Sequence, residues 1–250
     1  MNKLTNEWQA AFSVIASLEN FGYEAVVVGG AVRDKLLGRA VHDVDVATSA
    51  LPEEVKQVFS NTVDVGIAHG TVLVVHPLAP IEVTTFRTDG EYTDHRRPEA
   101  VKFVRSLEED LLRRDFTINA MALRSNESIV DPYGGQLDLN ARIIRAVGDA
   151  DARFKEDALR MLRAVRFAAQ LGFAIEEKTL VAIRNQANDI HLIAKERVKA
   201  ELDKVWVSPF IYDGLLQMGN SGLANWLERY LNVWCCRWSF WCFVCSRCRS

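Results

Sequence analysis

The chain has 250 residues, of which 49% are hydrophobic and 25% are charged, a composition typical of a soluble globular protein with one large or two small domains. Its formal net charge of −3 excludes a strong overall attraction to a polyanion such as a nucleic acid. A partner of that kind would have to bind to local basic patches.

The N-terminal segment predicts an amphipathic helix, because its large apolar residues recur at helical spacing. They are Trp8, Phe12, Ile15 and Leu18. The segment does not resemble a secretory signal, since it has no basic stretch followed by an apolar core and a cleavage site. All five cysteines lie between residues 235 and 248, so no disulfide framework is expected in the main fold. We therefore expect a cytoplasmic protein with no membrane partner.

Four β-branched runs follow this helix and predict strands separated by turns. They read EAVVVGG, HDVDVAT, GTVLVVH and IEVTTFR. A helix is predicted between the second and third runs, at residues 52–59. The polar stretch at residues 89–100 contains a proline and shows no period, so it predicts a mobile loop. These elements predict an α+β fold in which helices flank a mixed sheet.

The spacing of apolar residues along the chain changes near Gly148, where the alternating pattern of strands ends and helical spacing begins. The predicted helical segments cover residues 156–171, 176–188 and 194–206. We therefore predict a sheet-containing domain at residues 1–147, an all-helical domain at 148–206 and a third part at 207–250.

The end of the third part has an unusual composition, reading RYLNVWCCRWSFWCFVCSRCRS. Its Cys-x-x-Cys-x-x-Cys spacing resembles a metal site, but no histidine accompanies it and the spacing is too compressed for a structural zinc site. We interpret the segment as an aberrant end that replaces a longer natural C-terminus.

A pair of carboxylates is the central candidate for chemistry. Asp43 and Asp45 occupy alternate positions of a predicted strand, so both side chains should lie on one face. Like charges repel unless a cation lies between them, and Mg²⁺ is bound by carboxylate and phosphate oxygens. Glu82 opens a nearby predicted strand and is a candidate third carboxylate. Each of these residues would also fit an ordinary solvated strand.

Glycines and arginines near this pair suggest a phosphate site. Gly29 and Gly30 precede a predicted helix, which lets the backbone approach a phosphate, and Arg33 follows one turn later. A diglycine also occurs in ordinary tight turns. Neither Gly-x-Gly-x-x-Gly nor Gly-Lys-Ser/Thr follows it, which excludes a dinucleotide-binding site and a P-loop. Arg113 and Arg114 lie in the segment LLRRDFTINAMA, before a short predicted helix. They could bind a triphosphate or a sugar, or they could simply be exposed to solvent.

The segment EDALRMLRAVRF predicts a helix with charged residues at spacings of three, namely Asp157, Arg160, Arg163 and Arg166. On such a helix, Asp157 and Arg160 can present an acceptor beside a fork of donors. Cytosine and adenine both match that pattern, whereas guanine and uracil would leave polar groups unpaired at ~1–3 kcal/mol each. The alternative is an intrahelical ion pair of Glu156 with Arg160, worth only ~0.3–0.5 kcal/mol.

Taken in order, GGAVRDKLLG, HDVDVAT, RRDFTINAMA and EDALRMLRAVRF resemble the class II tRNA nucleotidyltransferases, the CCA-adding enzymes of the DNA polymerase β superfamily. The resemblance covers about residues 20–205. It implies a nucleotidyltransferase head, a helical neck and a truncated helical body. It also implies Mg²⁺-dependent, template-independent addition of CMP, CMP and AMP from CTP and ATP to the tRNA 3′ end, with release of pyrophosphate.

The resemblance implies two sets of site residues. The set expected to bind metal is Asp43 and Asp45, with Glu82 as a further catalytic carboxylate. The set expected to bind the nucleotide is Gly30, Arg33, Arg114, Asp157, Arg160, Arg163 and Arg166. Within the second set, Asp157 and Arg160 would read the base. Residues 89–100 resemble the family's flexible loop, which is linked to the switch from C to A addition.

Three alternatives remain open from the sequence. A bacterial poly(A) polymerase shares the head and neck motifs, an A-adding enzyme shares the loop, and an inactive RNA-binding remnant would fit the unusual end. Family members normally continue through body and tail domains that grip the tRNA, so we expect weak tRNA affinity here. The oligomeric state is open, with a homodimer among the arrangements.

Overall fold

The structure is a computed structural model that describes residues 5–41, 43–89 and 101–226. The predicted loop at 89–100 lies outside the described residues except for its first position, and the cysteine-rich segment lies outside them entirely.

Within the described residues, helices and strands alternate in the first part of the chain and helices dominate the second. The helices are α1 (Asn6–Asn20), α2 (Gly30–Leu36), α3 (Pro52–Val58), α4 (Leu107–Leu112), α5 (Gly135–Ala141), α6 (Ala150–Glu156), α7 (Leu159–Leu171), α8 (Glu177–Gln186), α9 (Lys195–Trp206) and α10 (Ile211–Asn220). The strands are β1 (Ala25–Val28), β2 (Asp45–Thr48), β3 (Thr62–Gly66), β4 (Thr71–Val75), β5 (Pro80–Thr85), β6 (Arg87–Asp89), β7 (Val101–Phe103), β8 (Ala122–Leu123), β9 (Ile129–Val130), β10 (Ile143–Ile144) and β11 (Ala174–Ile175).

Seven strands form one mixed sheet in the order β3-β4-β5-β2-β1-β8-β9. Only β2 and β5 pair in parallel, and the other neighbours are antiparallel. The parallel register sets Val46 beside Val83, which places the preceding residues, Asp45 and Glu82, at matching positions of the two strands. The predicted α+β fold with a mixed sheet is therefore confirmed.

The centre of the sheet is buried on both faces. All four residues of β1 are buried, as expected for a strand covered on both sides. Val27 belongs to the core that α1 covers, through Trp8 and Ile15, whereas Val28 packs on the opposite face with Leu111 of α4. The predicted N-terminal amphipathic helix is confirmed by this packing.

The helical part of the chain packs around α7, which contacts α6, α9 and α10. The prediction of an all-helical region after residue 148 is wrong in one detail, because β11 pairs in parallel with β10. That two-residue strand is too short to produce an alternating pattern in the sequence. The predicted boundary at residues 147 and 148 falls between β10 and α6, and the domain limits stay predictions. No helix of the described residues has both the length and the apolar character needed to cross a membrane.

Candidate active site

A cleft of about 760 Å³ lies between the end of β1 and the face of α7. Its charged lining is predominantly basic, with eight arginines and three aspartates among the described residues. The arginines are Arg33, Arg87, Arg113, Arg114, Arg160, Arg163, Arg166 and Arg197. The aspartates are Asp45, Asp115 and Asp157. This concentration of guanidinium groups gives a chain of net negative charge a local site for a polyanion.

The turn after β1 forms one wall of the cleft. Gly29 has φ = +73°, a left-handed conformation that favours glycine, and α2 begins at Gly30. A Cβ atom at Gly29 would lie 3.2 Å from Nη1 of Arg114, so the turn and this arginine approach closely. Gly30 also lines the cleft, and its contact with a phosphate stays a prediction.

Arg33 is buried and held on several sides. Its Nη1 donates to Oδ1 of Asn119 at 2.7 Å, its Nη2 donates to Asp34 at 2.8 Å, and its guanidinium lies 5.1 Å from the centroid of the Phe167 ring. A guanidinium fixed in this way loses little conformational freedom when an anion binds.

The predicted carboxylate pair lies at the start of β2. Val44 is buried, whereas Asp43 and Asp45 on either side of it are exposed, which is the alternation expected of an extended segment. The strand itself begins at Asp45, so Asp43 lies just outside it. Asp45 lines the cleft, but Asp43 and Glu82 do not line it.

Electrostatic interactions connect the three carboxylates. The surroundings raise the pKa of Asp45, although the residue as a whole is exposed: partial desolvation of its carboxyl group beside the cleft contributes most, then the charge of Glu82, and also that of Asp43. Arg114 opposes this effect by lowering the pKa. The carboxylates are therefore close enough to repel one another, and a divalent cation would relieve that repulsion.

The donor chemistry of these carboxylates fits Mg²⁺, which prefers oxygen ligands. Within residues 5–41, 43–89 and 101–226, however, no group of three or more His, Cys, Asp or Glu side chains is gathered closely enough to hold a metal ion. Metal binding at Asp43 and Asp45 therefore stays a prediction, as does the role of Glu82.

A buried carboxylate positions the arginine pair that follows α4. Asp110 is only 1% exposed and accepts hydrogen bonds from Arg113 at 2.8 Å and Arg114 at 3.0 Å. Burial alone would raise the pKa of Asp110, but the charges of Arg114 and Arg113 hold it below its usual value. Asp110 thus fixes Arg114 beside Gly29 at the cleft.

A second network joins the sheet-containing region to α7. Asp115 is buried; its Oδ2 accepts from Nε of Arg163 at 2.7 Å, and its Oδ1 accepts from Nδ2 of Asn119 at 3.1 Å. Burial would raise the pKa of Asp115, but Arg163 and Asn119 lower it to about 2. Because Asn119 also binds Arg33 of α2, these hydrogen bonds link α2 to the helical region.

The predicted helix at residues 156–171 is interrupted. α6 ends at Glu156 and α7 begins at Leu159, with Asp157 extended between them at φ = −143°. Asp157 and Arg160 therefore do not share a continuous helical surface as predicted, although both line the cleft. The physical reason is that the Asp157 carboxylate accepts from the backbone N–H of Leu159 at 3.0 Å, an interaction typical of a helix start.

Asp157 and Arg160 are paired with other residues. Arg160 donates to Glu156 at 2.7 Å and to the backbone oxygen of Arg113 at 3.0 Å. The ion pair considered as an alternative is therefore present, but it joins the end of α6 to α7 and is not intrahelical. Asp157 accepts from Arg197 at 2.9 Å. The two side chains are thus held separately at the same cleft, and their role in reading the base stays a prediction.

Arg163 and Arg166 line the cleft from α7, and their contact with a nucleotide stays a prediction. Both guanidinium groups lie over the Phe167 ring, at 5.6 and 4.3 Å from its centroid. Arg166 also forms an ion pair with Glu201 of α9 at 3.0 Å. Stacking and pairing of this kind limit the motion of both side chains.

Reasoning from the sequence missed several residues of this site, among them Arg87, Asp110, Asp115, Asn119 and Arg197. Asp110 and Asn119 flank the RRD segment, and a buried partner for its arginines could have been sought there. Arg197 lies 40 residues after Asp157, and no periodic signal relates the two.

Comparison with known proteins identifies the family. Residues 25–145 match the family model described as "Poly A polymerase head domain", and residues 172–235 match that described as "Probable RNA and SrmB- binding site of polymerase A". A CCA-adding enzyme of Geobacillus thermodenitrificans is 56% identical over 220 residues, which are 88% of this chain and 54% of the relative. The chain belongs to the poly(A) polymerase and tRNA nucleotidyltransferase family.

Other members of the family agree with this result. A CCA-adding enzyme of Streptococcus mutans is 52% identical over 86% of this chain and 54% of the relative. The crystal structure of the Bacillus stearothermophilus CCA-adding enzyme in complex with CTP superposes with a TM-score of 0.82 at 50% identity, over 88% of this chain and 53% of that one. A tRNA nucleotidyltransferase complexed with a primer tRNA and an incoming ATP analog gives a TM-score of 0.71 at 29% identity, over 87% of this chain and 62% of that one.

The family resemblance inferred from the four sequence motifs is therefore confirmed, and the sheet-containing region is a nucleotidyltransferase head. The chain spans a little over half the length of the curated family members that it matches.

Proposed function

We propose that the chain adds CMP, CMP and AMP from CTP and ATP to the 3′ end of tRNA. The observation that carries this proposal is the cleft in which Asp45, the Gly29 and Gly30 turn and eight arginines meet. A triphosphate needs many positive donors, and a transferase needs carboxylates beside them. The similar solved structures include one in complex with CTP and one with a primer tRNA and an ATP analog, which supports these substrates.

In the proposed reaction, the 3′-oxygen of the primer forms a bond to the α-phosphorus of CTP or ATP. The bond from that phosphorus to the bridging oxygen breaks, pyrophosphate leaves with the electron pair, and the hydroxyl proton passes to solvent. Arg33 and Arg114 stabilise the charge that develops on the phosphate oxygens. Mg²⁺ bound by Asp43 and Asp45 would supply Lewis-acid stabilisation of those oxygens.

Incorporation of each labelled triphosphate into tRNA lacking its CCA end tests this proposal. We expect CMP, CMP and AMP to be added, with no addition from GTP or UTP. Asp45→Asn and Asp43→Asn should lower the rate about a hundredfold or more, because each removes part of the electrostatic stabilisation. Asp64→Asn is the matched control, since Asp64 lies on strand β3, pairs with Lys56 and does not line the cleft.

The second candidate is a poly(A) polymerase, which the name of the matching head-domain model favours. A long run of AMP would support this candidate, whereas a single AMP on tRNA that already ends in CC would support an A-adding enzyme. No incorporation of any nucleotide would support an inactive RNA-binding protein.

We propose a cytoplasmic location, in keeping with a tRNA substrate.

A further inference from the structure

A row of side chains crosses one face of the sheet, from β1 to the edge strand β3. The register pairs Val28 with Asp45, and it sets Asp45 beside Glu82. It then pairs Glu82 with Leu73, and Leu73 with Val63. Because residues paired across neighbouring strands point to the same face, these five side chains form one continuous row.

The two ends of this row differ in how they are covered. Over β1, Val28 packs with Leu111 of α4. Over β3 and β4, Val63 is 47% exposed and Leu73 is partly buried, and neither belongs to the two hydrophobic cores that the described residues form. Val75 is also exposed and lies on the same face as Leu73, since it is two residues further along the strand. The row therefore ends in an apolar patch that is open to solvent.

The patch is contiguous with the candidate catalytic carboxylates. Glu82 is exposed, and its charge acts on Asp45 across the β2–β5 pair. Leu73 is the next residue of the row after Glu82, and Val63 follows it. A ligand that reached Asp45 over β5 would thus lie on this apolar surface.

The geometry of the proposed reaction determines which substrate approaches from that side. The triphosphate binds at the Gly29 turn, which follows β1 and has Arg114 beside it. In an in-line displacement, the attacking oxygen and the leaving pyrophosphate lie on opposite sides of the phosphorus. Because β2, which carries Asp45, separates β1 from β5 and β4, the attacking 3′-oxygen approaches over Glu82 and Leu73.

We propose that Leu73 and Val63 form a subsite for the 3′-terminal base of the RNA primer, which stacks on their side chains and places its ribose over Glu82. This inference rests on the proposed function and identifies the part of the head that receives the acceptor strand. The end of the primer changes with each addition. An apolar platform tolerates that change, because every base has an apolar face and stacking does not depend on its hydrogen-bonding groups.

Two primers that differ only in their last base test the inference. One is an RNA mini-helix that ends in CC, and the other ends in an abasic ribose that keeps its 3′-hydroxyl. With the wild-type chain, we expect the abasic end to raise the KM of the primer for AMP incorporation about tenfold, because the apolar contact of one base contributes about this factor.

Val63→Ser and Leu73→Ser should each raise the KM of the normal primer about threefold to tenfold, and should have no further effect on the abasic primer. The dissociation constant of ATP should be unchanged in both variants. Val181→Ser and Leu78→Ser are the matched controls. Val181 is 42% exposed on α8, and Leu78 is 45% exposed in the turn between β4 and β5.

A purely structural role for the patch gives a different result. The KM then rises by the same factor for both primers, or only the melting temperature falls, and either outcome overturns the inference. A change of oligomeric state in Val63→Ser with an unchanged KM also overturns it, since the patch would then be an interface between two copies of the chain. Val63 is exposed on an edge strand, so Val63→Ser decides the question if Leu73→Ser does not fold.

Equilibrium binding of the two primers makes the same comparison without catalysis. If no nucleotide is incorporated into either primer, the proposed transferase function fails. Tighter binding of the normal primer than of the abasic one, abolished by both variants, would still support the subsite. Equal binding of the two primers by the wild-type chain would refute it.

Discussion

Asp115 is a buried carboxylate that Arg163 and Asn119 keep ionised, with a pKa of about 2 against an ordinary value of 3.8. Since one pKa unit corresponds to about 1.4 kcal/mol, this lowering favours the folded state by roughly 2 kcal/mol. The folded pKa lies below the unfolded one, so the contribution is complete above about pH 4 and is lost as the pH falls toward 2.

We therefore predict that Asp115→Asn lowers the free energy of unfolding at pH 7 by about 2–4 kcal/mol, because it also leaves the partly buried Arg163 without its counter-ion. The difference between wild type and variant should narrow as the pH is lowered below about 4. Urea unfolding at a series of pH values measures both effects. Asp203→Asn, at an exposed ion pair with Lys199, is the control and should change the free energy little. A difference that does not vary with pH would contradict the prediction.

At the scale of secondary-structure elements, α7 and α10 pack closely against each other at Gly214. A Cβ atom there would lie 2.6 Å from Cβ of Ala169, which is too close without a shift of one helix. We predict that Gly214→Ala destabilises the chain by about 1–3 kcal/mol and lowers its melting temperature. Gly219→Ala, at an exposed position of the same helix, should instead be neutral or slightly stabilising. Equal melting temperatures for the two variants would show that the helices can separate freely.

The elements with strong periodicity could be predicted from the sequence, and those without it could not. The strands β1, β2, β4 and β5 follow β-branched runs, and α8 and α9 follow apolar stripes, so all six were found within a few residues. The edge strand β3 was not predicted, although its sequence TVDVG alternates β-branched residues as the predicted strand HDVDVAT does. Its apolar side chains, Val63 and Val65, are exposed at the edge of the sheet. The break in the helix at Asp157 was missed because apolar residues continue on both sides of it.

For the candidate site, the sequence predicted the residues of local motifs but not the distant residues that hold them in place. Residues within one short motif, such as Gly30 with Arg33 or Arg163 with Arg166, lie together at the cleft. The partners that hold them come from distant segments, as Asn119 does for Arg33 and Arg197 does for Asp157. Those contacts depend on how helices pack against the sheet, which no local pattern specifies.

For the whole molecule, the local charge of the cleft is opposite in sign to the net charge of the chain. The net charge is −3, while eight arginines line one cavity of the described residues. A small triphosphate can bind within that cavity, whereas tRNA also presents backbone phosphates that need basic groups over a wider surface. The chain spans 54% of the length of family members such as the Geobacillus thermodenitrificans enzyme.

We predict that this 250-residue chain binds CTP with nearly the affinity of a full-length family member but binds tRNA at least about tenfold more weakly. The physical reason is that each phosphate contact made outside the cleft adds affinity through release of counter-ions, and such contacts scale with the area of the protein. Titrations of both chains with tRNA and with CTP at one fixed salt concentration measure the two affinities. Equal tRNA dissociation constants would mean that the head and the helices around α7 already contain the whole tRNA-binding surface.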